Sequence, residues 1–268
     1  MTTSARALLH PMFNLLYEDL VVATANLHEE LSEKSVHDAR VAIRSTKSLL
    51  ITFNSILQKE PISSLLTELS WLNKRLAGLR DLDVMKETMA TYNEESFGSE
   101  IMKLLSEQRA EIELVVIEEL ASNNLRSLIN SYFEFSSTVP IKKRVLASST
   151  EEQQASIQLL LVQMWVKLFN SLAKLPLNPT PNELHSIRIA TKRCRYAFEA
   201  AKAAKLFTAE NQIIWAKKLQ QVLGQAQDNQ TLRNWIKEQE ELPRELRSAA
   251  LLQVGRAKIS SSQLLSIA

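Results

Sequence analysis

A twelve-residue pattern occurs twice in this chain, and it restricts the fold more than any other feature. Val36-His37-Asp38-Ala39-Arg40-Val41-Ala42-Ile43-Arg44-Ser45-Thr46-Lys47 returns 148 positions later as Leu184-His185-Ser186-Ile187-Arg188-Ile189-Ala190-Thr191-Lys192-Arg193-Cys194-Arg195. In each copy an apolar residue precedes the histidine, and basic residues follow it at +3, +7 and +10. On a helix, His37, Arg40, Arg44 and Lys47 fall within roughly an 80° stripe, as do His185, Arg188, Lys192 and Arg195. An apolar stripe lies beside each: Val36, Ala39, Ile43, Thr46 and Leu50, then Leu184, Ile187, Thr191, Cys194 and Phe198. Each helix therefore has one face for a core and a neighbouring row of cations. Like charges three and four apart repel by a few tenths of a kcal/mol per pair. Carboxylates of the same protein, or an anion from outside, must offset that cost.

The rest of the composition agrees with helices. Among 268 residues there are only four glycines and seven prolines, with 45% apolar and 23% charged residues. This is an ordinary soluble balance, weighted toward good helix formers. The net charge is +2, so anion binding has to come from where charges sit and not from their sum. Cys194 is the lone cysteine, which excludes an intramolecular disulfide and suits a reducing compartment. No apolar run reaches the roughly 18 residues of a membrane span. No signal-peptide core forms around Leu8 and Leu9. The expectation is a cytoplasmic protein with no membrane association.

Read in order, the periodicity predicts a helix from near Pro11 to about Leu31. A second, capped by Ser35, carries the first motif to about Lys59. A third opens at Pro61 and holds Gly78 in its interior. After a break near 93–99, a helix spans Glu100 to Ala121, and a shorter one Leu125 to Phe135. Residues 136–150 look like a linker between two halves, 1–140 and 141–268. A helix capped by Thr150, with Gln153 at capping-box spacing, runs to about Lys174. Pro176, Pro179 and Pro181 form a stiff connection to the second motif helix, capped by Asn182 and reaching about Lys205. Two more helices follow, about Ala209 to Glu241 and Pro243 to at least Ile259. Leu72, Leu76, Ala77 and Asp81 match Leu219, Leu223, Gly224 and Asp228 at an offset of 147, which extends the duplication. The small residues Ala77 and Gly224 suggest close approach of a neighbouring helix.

The paired motifs resemble the CHAD domain, a conserved-histidine α-helical domain family. Two further segments carry the likeness: Arg80-Asp81-Leu82-Asp83-Val84, and Leu223-Gly224-Gln225-Ala226-Gln227-Asp228. Four segments in the right order span nearly the whole chain. The resemblance implies an all-α fold of two four-helix bundles related by a pseudo-twofold axis, with a basic groove between them. It also implies binding of inorganic polyphosphate without catalysis. Some relatives carry a triphosphate-processing domain with alternating glutamates ending in lysine. The nearest string here, Glu111-Ile112-Glu113-Leu114-Val115, has valine in the lysine position, so no such fusion is expected. Two departures stand out. The first copy has Ser45 where the second has Arg193, and Gln227 stands where the first half has Arg80.

The expected polyphosphate-binding residues are His37, Arg40, Arg44 and Lys47 with His185, Arg188, Lys192, Arg193 and Arg195. Lys74 and Lys217, on the helix faces of Asp81 and Asp228, extend the row. Asp81 and Asp228 are expected to hold motif arginines in place. The histidines could contact phosphate or be structural. A metal role is not expected, because neither helix offers the second ligand four residues on. No cofactor is expected. No phosphate loop or nucleophile motif is present, and Cys194 falls on the apolar stripe. Nothing suggests the aromatic platforms of a single-strand nucleic-acid binder. The alternative to polyphosphate is a helical scaffold that receives an acidic protein partner in the same groove. Association with polyphosphate granules would follow from the first reading.

Overall fold

The structure, a computed structural model, describes residues 4–92, 98–206, 208–254 and 263–264. Regular structure among the described residues is α-helical. In chain order it comprises α1 (Ala5–Glu29), α2 (Glu33–Thr52), α3 (Lys59–Arg75), α4 (Ala77–Met89), α5 (Gly98–Leu120), α6 (Asn123–Thr138) and the single turn α7 (Lys143–Leu146). Then come α8 (Thr150–Ala173), α9 (Pro181–Ala203), α10 (Glu210–Glu238) and α11 (Arg244–Gln253). No helix among these is long and apolar enough to cross a membrane.

Local chemistry sets the helix ends, and it moves several expected boundaries. Ser4, not Pro11, starts α1: its Oγ accepts from the Ala7 N–H, and Pro11 lies inside the helix. The α1 N-terminus is also tied to α8, because the Ala5 N–H donates to Gln153 Oε1 at 2.9 Å. Ser32, not Ser35, caps α2, with Glu33 in the first turn. Ser35 is instead buried, and its hydroxyl donates to the Glu30 carbonyl at 2.6 Å. The helix stops at Thr52, short of Lys59, because Phe53, Ile56 and Leu57 turn inward to the core. There Leu57 pairs with Ile141 in an isolated antiparallel bridge. Ser149 and Thr180, each one or two residues before the expected caps, make capping boxes with Glu152 and Glu183. The expected extension of the last helix to Ile259 lies outside the described residues.

The expected third helix is two helices, α3 and α4, with a break at Leu76. Gly78 lies just past the break. A Cβ there would sit 3.2 Å from Cδ1 of Ile112 on α5, tighter than ordinary contact. Close approach thus occurs at Gly78. At Gly224 a Cβ would meet only Asp228 Oδ2 at 3.9 Å, so no neighbouring helix presses on it.

Two apolar clusters form the interior. The larger runs from Ala5 on α1 through α2, α3, α6, α8 and α9 to Leu223 on α10. The smaller joins Leu82, Met85 and Met89 of α4 to Ile101 and Leu105 of α5, Leu232 and Ile236 of α10, and Ala250 of α11. Both clusters draw on residues before and after position 140. Helix α10, about 43 Å long at 1.5 Å per residue, passes from one cluster to the other. Packing partners correspond across the chain. Helix α1 packs on α2 and α8 on α9; α2 packs on α3 and α4, as α9 does on α10; α4 packs on α5, and α10 on α11. Helices α2 and α9 meet each other, as do α4 and α10.

One buried ion pair fastens the smaller cluster to the rest. Asp83 on α4 is 0% exposed, and its Oδ1 accepts from Arg109 Nε of α5 at 2.7 Å. Arg109 also pairs with Glu113 and donates through Nη2 to the Leu31 carbonyl, just beyond α1, at 2.7 Å. A single guanidinium therefore joins α4, α5 and the α1–α2 connection. Removing one partner of a buried pair leaves the other charge uncompensated, at a cost of about 3–5 kcal/mol. Arg109→Met is expected to lower unfolding free energy by that amount in a urea titration, and more than Arg75→Met, whose pair with Glu119 is partly exposed.

Candidate anion-binding junction

The contact between α2 and α9 gathers the motif cations. Their apolar stripes enter the larger cluster through Val36, Ala39, Ile43, Leu50, Ile187, Cys194 and Phe198, so the adjoining basic rows turn toward the junction. Arg40 is partly buried, with Nη1 donating to the Asn73 carbonyl at 3.0 Å and Nε without a hydrogen-bond partner among the described residues. Burial lowers its pKa, with the Arg44 charge adding to the effect and Asp81 opposing it. Arg44 reaches across to α9, where its Nε lies 3.5 Å from the Tyr196 hydroxyl. Lys47 donates to Ser70 Oγ on α3 at 2.8 Å. From α9, Arg188 sits 4.0 Å from Asp228 Oδ1, and its Nε has no partner.

Lys192 records the field at this point. Burial, and then the charges of Arg188 and Arg44, push its pKa down to about 7, against a smaller opposite pull from Asp228. Neither Arg44 nor Lys192 makes an ion pair among the described residues. Arg195 lies at the edge, 3.6 Å from Glu199 and 4.5 Å from the Tyr196 ring centroid. Two carboxylates sit among these cations. Burial holds both Asp81 and Asp228 above the usual carboxylate range, even as Arg40 acts on Asp81, Arg188 and Lys192 act on Asp228, and Arg80 acts on both.

The other expected residues divide. His37 keeps an exposed edge, while partial burial and then the charges of Arg80 and Arg44 lower its pKa. His185 is exposed on the first turns of α9. Lys217 is exposed and pairs with Glu199 at 3.4 Å, and Lys74 is exposed on α3. Arg193 falls outside the α9 basic stripe, one 100° step on from Lys192. Its charge bears on the buried Cys194, whose thiol burial pushes up to about 12. One cation was absent from the expected set: Arg80 on α4. It makes a bidentate pair with Glu87 at 3.0 and 3.3 Å, and its charge is felt by His37, Arg40, Asp81 and Asp228. Its place in the motif-like segment Arg80-Asp81-Leu82-Asp83-Val84 was the available signal. The contact of α4 with α2 and α10 brings it in.

Fold and site together define an all-α domain built around a cation-lined junction of two motif helices. The family model of the CHAD domain matches residues 13–237, and the chain belongs to the CHAD domain family, a family linked to polyphosphate-related proteins. Two solved structures share the fold. The CHAD domain from the plant Ricinus communis superposes with a TM-score of 0.77 at 18% identity, covering 94% of this chain and 86% of that one. PptA from Streptomyces chartreusis superposes with a TM-score of 0.75 at 14% identity, covering 99% of this chain and 95% of that one. No curated protein sequence matches the chain.

Lys192 makes stability depend on pH. Its folded pKa of about 7 lies below the ordinary lysine value of 10.5, so the unfolded chain binds more protons between those two values. Stability therefore rises with pH across that window, and the cost of charging Lys192 is fully present below about 7. Lys192→Met is expected to stabilise the protein most near pH 6. In denaturant titrations its advantage over wild type should shrink steadily from pH 7 toward 10.

Proposed function

We propose that this protein binds inorganic polyphosphate at the α2–α9 junction as a binding module, not an enzyme. The observation that carries this reading is the pair Arg44 and Lys192. They are cations from two helices, close enough for one to depress the pKa of the other, and among the described residues neither makes an ion pair with a carboxylate. The internal carboxylate Asp81 acts on Arg40 and Arg80, and Asp228 acts on Arg188, Arg80 and Lys192, but at Lys192 burial and the Arg188 and Arg44 charges outweigh it. An anion would relieve the repulsion. A linear one suits the shape, because the α2 row from His37 to Lys47 extends about 15 Å along a rigid axis. Polyphosphate carries negative charge on every unit. Arginine offers it paired hydrogen bonds, and lysine a point charge. This reading puts the protein in the cytoplasm, at polyphosphate granules.

Calorimetric titration with long-chain polyphosphate at two salt concentrations tests it. Tight binding that weakens steeply with salt is expected, as for other polyanions. Arg44→Ala removes contacts of about 1.5–3 kcal/mol and should weaken binding about tenfold or more while helicity is unchanged. An Arg40→Ala, Arg188→Ala double variant should lose more. Absence of wild-type binding at low salt would overturn the reading and turn attention to acidic protein partners. Phosphate release over time would overturn the non-enzymatic part. Lys192 supplies a further signature. A bound anion raises its pKa from about 7, so binding near pH 8 should take up protons. Observed enthalpy would then vary with the ionisation enthalpy of the buffer, and Lys192→Met should abolish much of that variation.

A further inference from the structure

Helix α8 is apolar on two faces, and among the described residues only one of them is fully covered. Ile157, Leu161, Leu168 and Leu172 are buried in the larger cluster. Well round the helix, Leu159, Val162 and Val166 are 54, 45 and 49% exposed, in line with exposed Ala155 and Ala173 and with half-buried Phe169, whose ring stacks on Trp215 of α10 at 4.9 Å and leaves one edge of the seam open. The order Ala155, Leu159, Val162, Val166, Phe169, Ala173 steps by four, three, four, three and four. That is the a/d spacing of a coiled-coil seam, sustained through most of a 24-residue helix. Scattered exposed apolar residues are ordinary, but an aligned seam is a surface built to be covered.

We propose that α8 pairs antiparallel with α8 of a second copy of this chain, forming a twofold-symmetric dimer. Three features of the helix select that occupant. First, the seam is self-complementary when reversed. With layers centred at position 164, Ala155 meets Ala173, Leu159 meets Phe169, and Val162 meets Val166 of the other copy. Small residues thus face small ones at both ends, and the largest pair falls between. Second, the charge is polarised. Glu151 and Glu152 stand at the N-terminal end, and Lys174, without an ion pair among the described residues, stands at the C-terminal end. Reversal brings Glu152 of one copy within about one helical turn of Lys174 of the other. A parallel pair would instead set acid against acid and base against base. Third, antiparallel helix dipoles attract. A twofold interface of this kind closes on itself and leaves no seam free for further growth.

Analytical ultracentrifugation across a concentration series reads the proposal, with helicity followed by circular dichroism. Wild type is expected to show a concentration-dependent monomer–dimer equilibrium. Val162→Glu, on the exposed face, should raise the dimer dissociation constant about tenfold or more without loss of helicity. Should that variant misfold, Leu159→Lys gives the same reading. The orientation is tested by charge exchange, which leaves the seam untouched. A Lys174→Glu variant should dimerise more weakly, and adding Glu151→Lys, which leaves the Ser149–Glu152 capping box intact, should restore dimerisation. A wild-type monomer at every concentration would overturn the proposal, as would a dimer unmoved by the seam variants. A seam-dependent dimer that the charge exchange fails to rescue would overturn the antiparallel arrangement.

Discussion

Repulsion among half-buried cations is the constraint around which this structure is arranged. Arg40, Arg44, Arg188 and Lys192 come from two helices whose apolar faces are locked into one core, so they cannot move apart. The fold answers in two ways. It sets Asp81 and Asp228 among the cations, and it ties Arg40 to a backbone carbonyl and Arg80 to Glu87. The answer is incomplete at the centre, where Lys192 gives up much of its proton affinity. Incomplete neutralisation in a rigid setting is what an anion site requires, because the protein does not have to reorganise to offer its charge.

The histidines that head each motif contribute less to this field than their position suggests. His37 borders the cluster and loses basicity through burial and neighbouring arginines. His185 stands open at the start of α9. Burial, and then the Arg80 charge from α4, lower the His37 pKa; Gln227 stands on α10 where the first half has Arg80.

Much of this was legible in the sequence, for identifiable reasons. The motif helices were readable because steps of three and four put both the apolar and the basic stripe on fixed faces. Arg193 falls one 100° step from the basic stripe by the same geometry. The break at Leu76 was not readable, since Leu72, Leu76 and Leu79 keep helical period straight through it. Arg109 was equally silent, because its partners Asp83 and the Leu31 carbonyl lie 26 and 78 residues away. Cap positions drifted by one to three residues where several capping residues stand close together. Helix ends are decided there by which hydroxyl reaches the third amide.

The larger cluster closes the beginning of the chain against its far end, with Ala5 held by Gln153 and the same core reaching Leu223. That arrangement bears on how the protein is made. While the ribosome is still extending the first half, Phe13, Leu16 and Leu20 of α1 can cover themselves only against α2 and α6. Their remaining partners on α8 and α9 are synthesised more than a hundred residues later. The nascent chain thus spends much of its elongation with an unfinished interior, the condition in which exposed apolar surface recruits chaperones. Burial of the motif helices against each other belongs to the last stage of this sequence, so the cation-lined junction assembles only after most of the polypeptide has emerged.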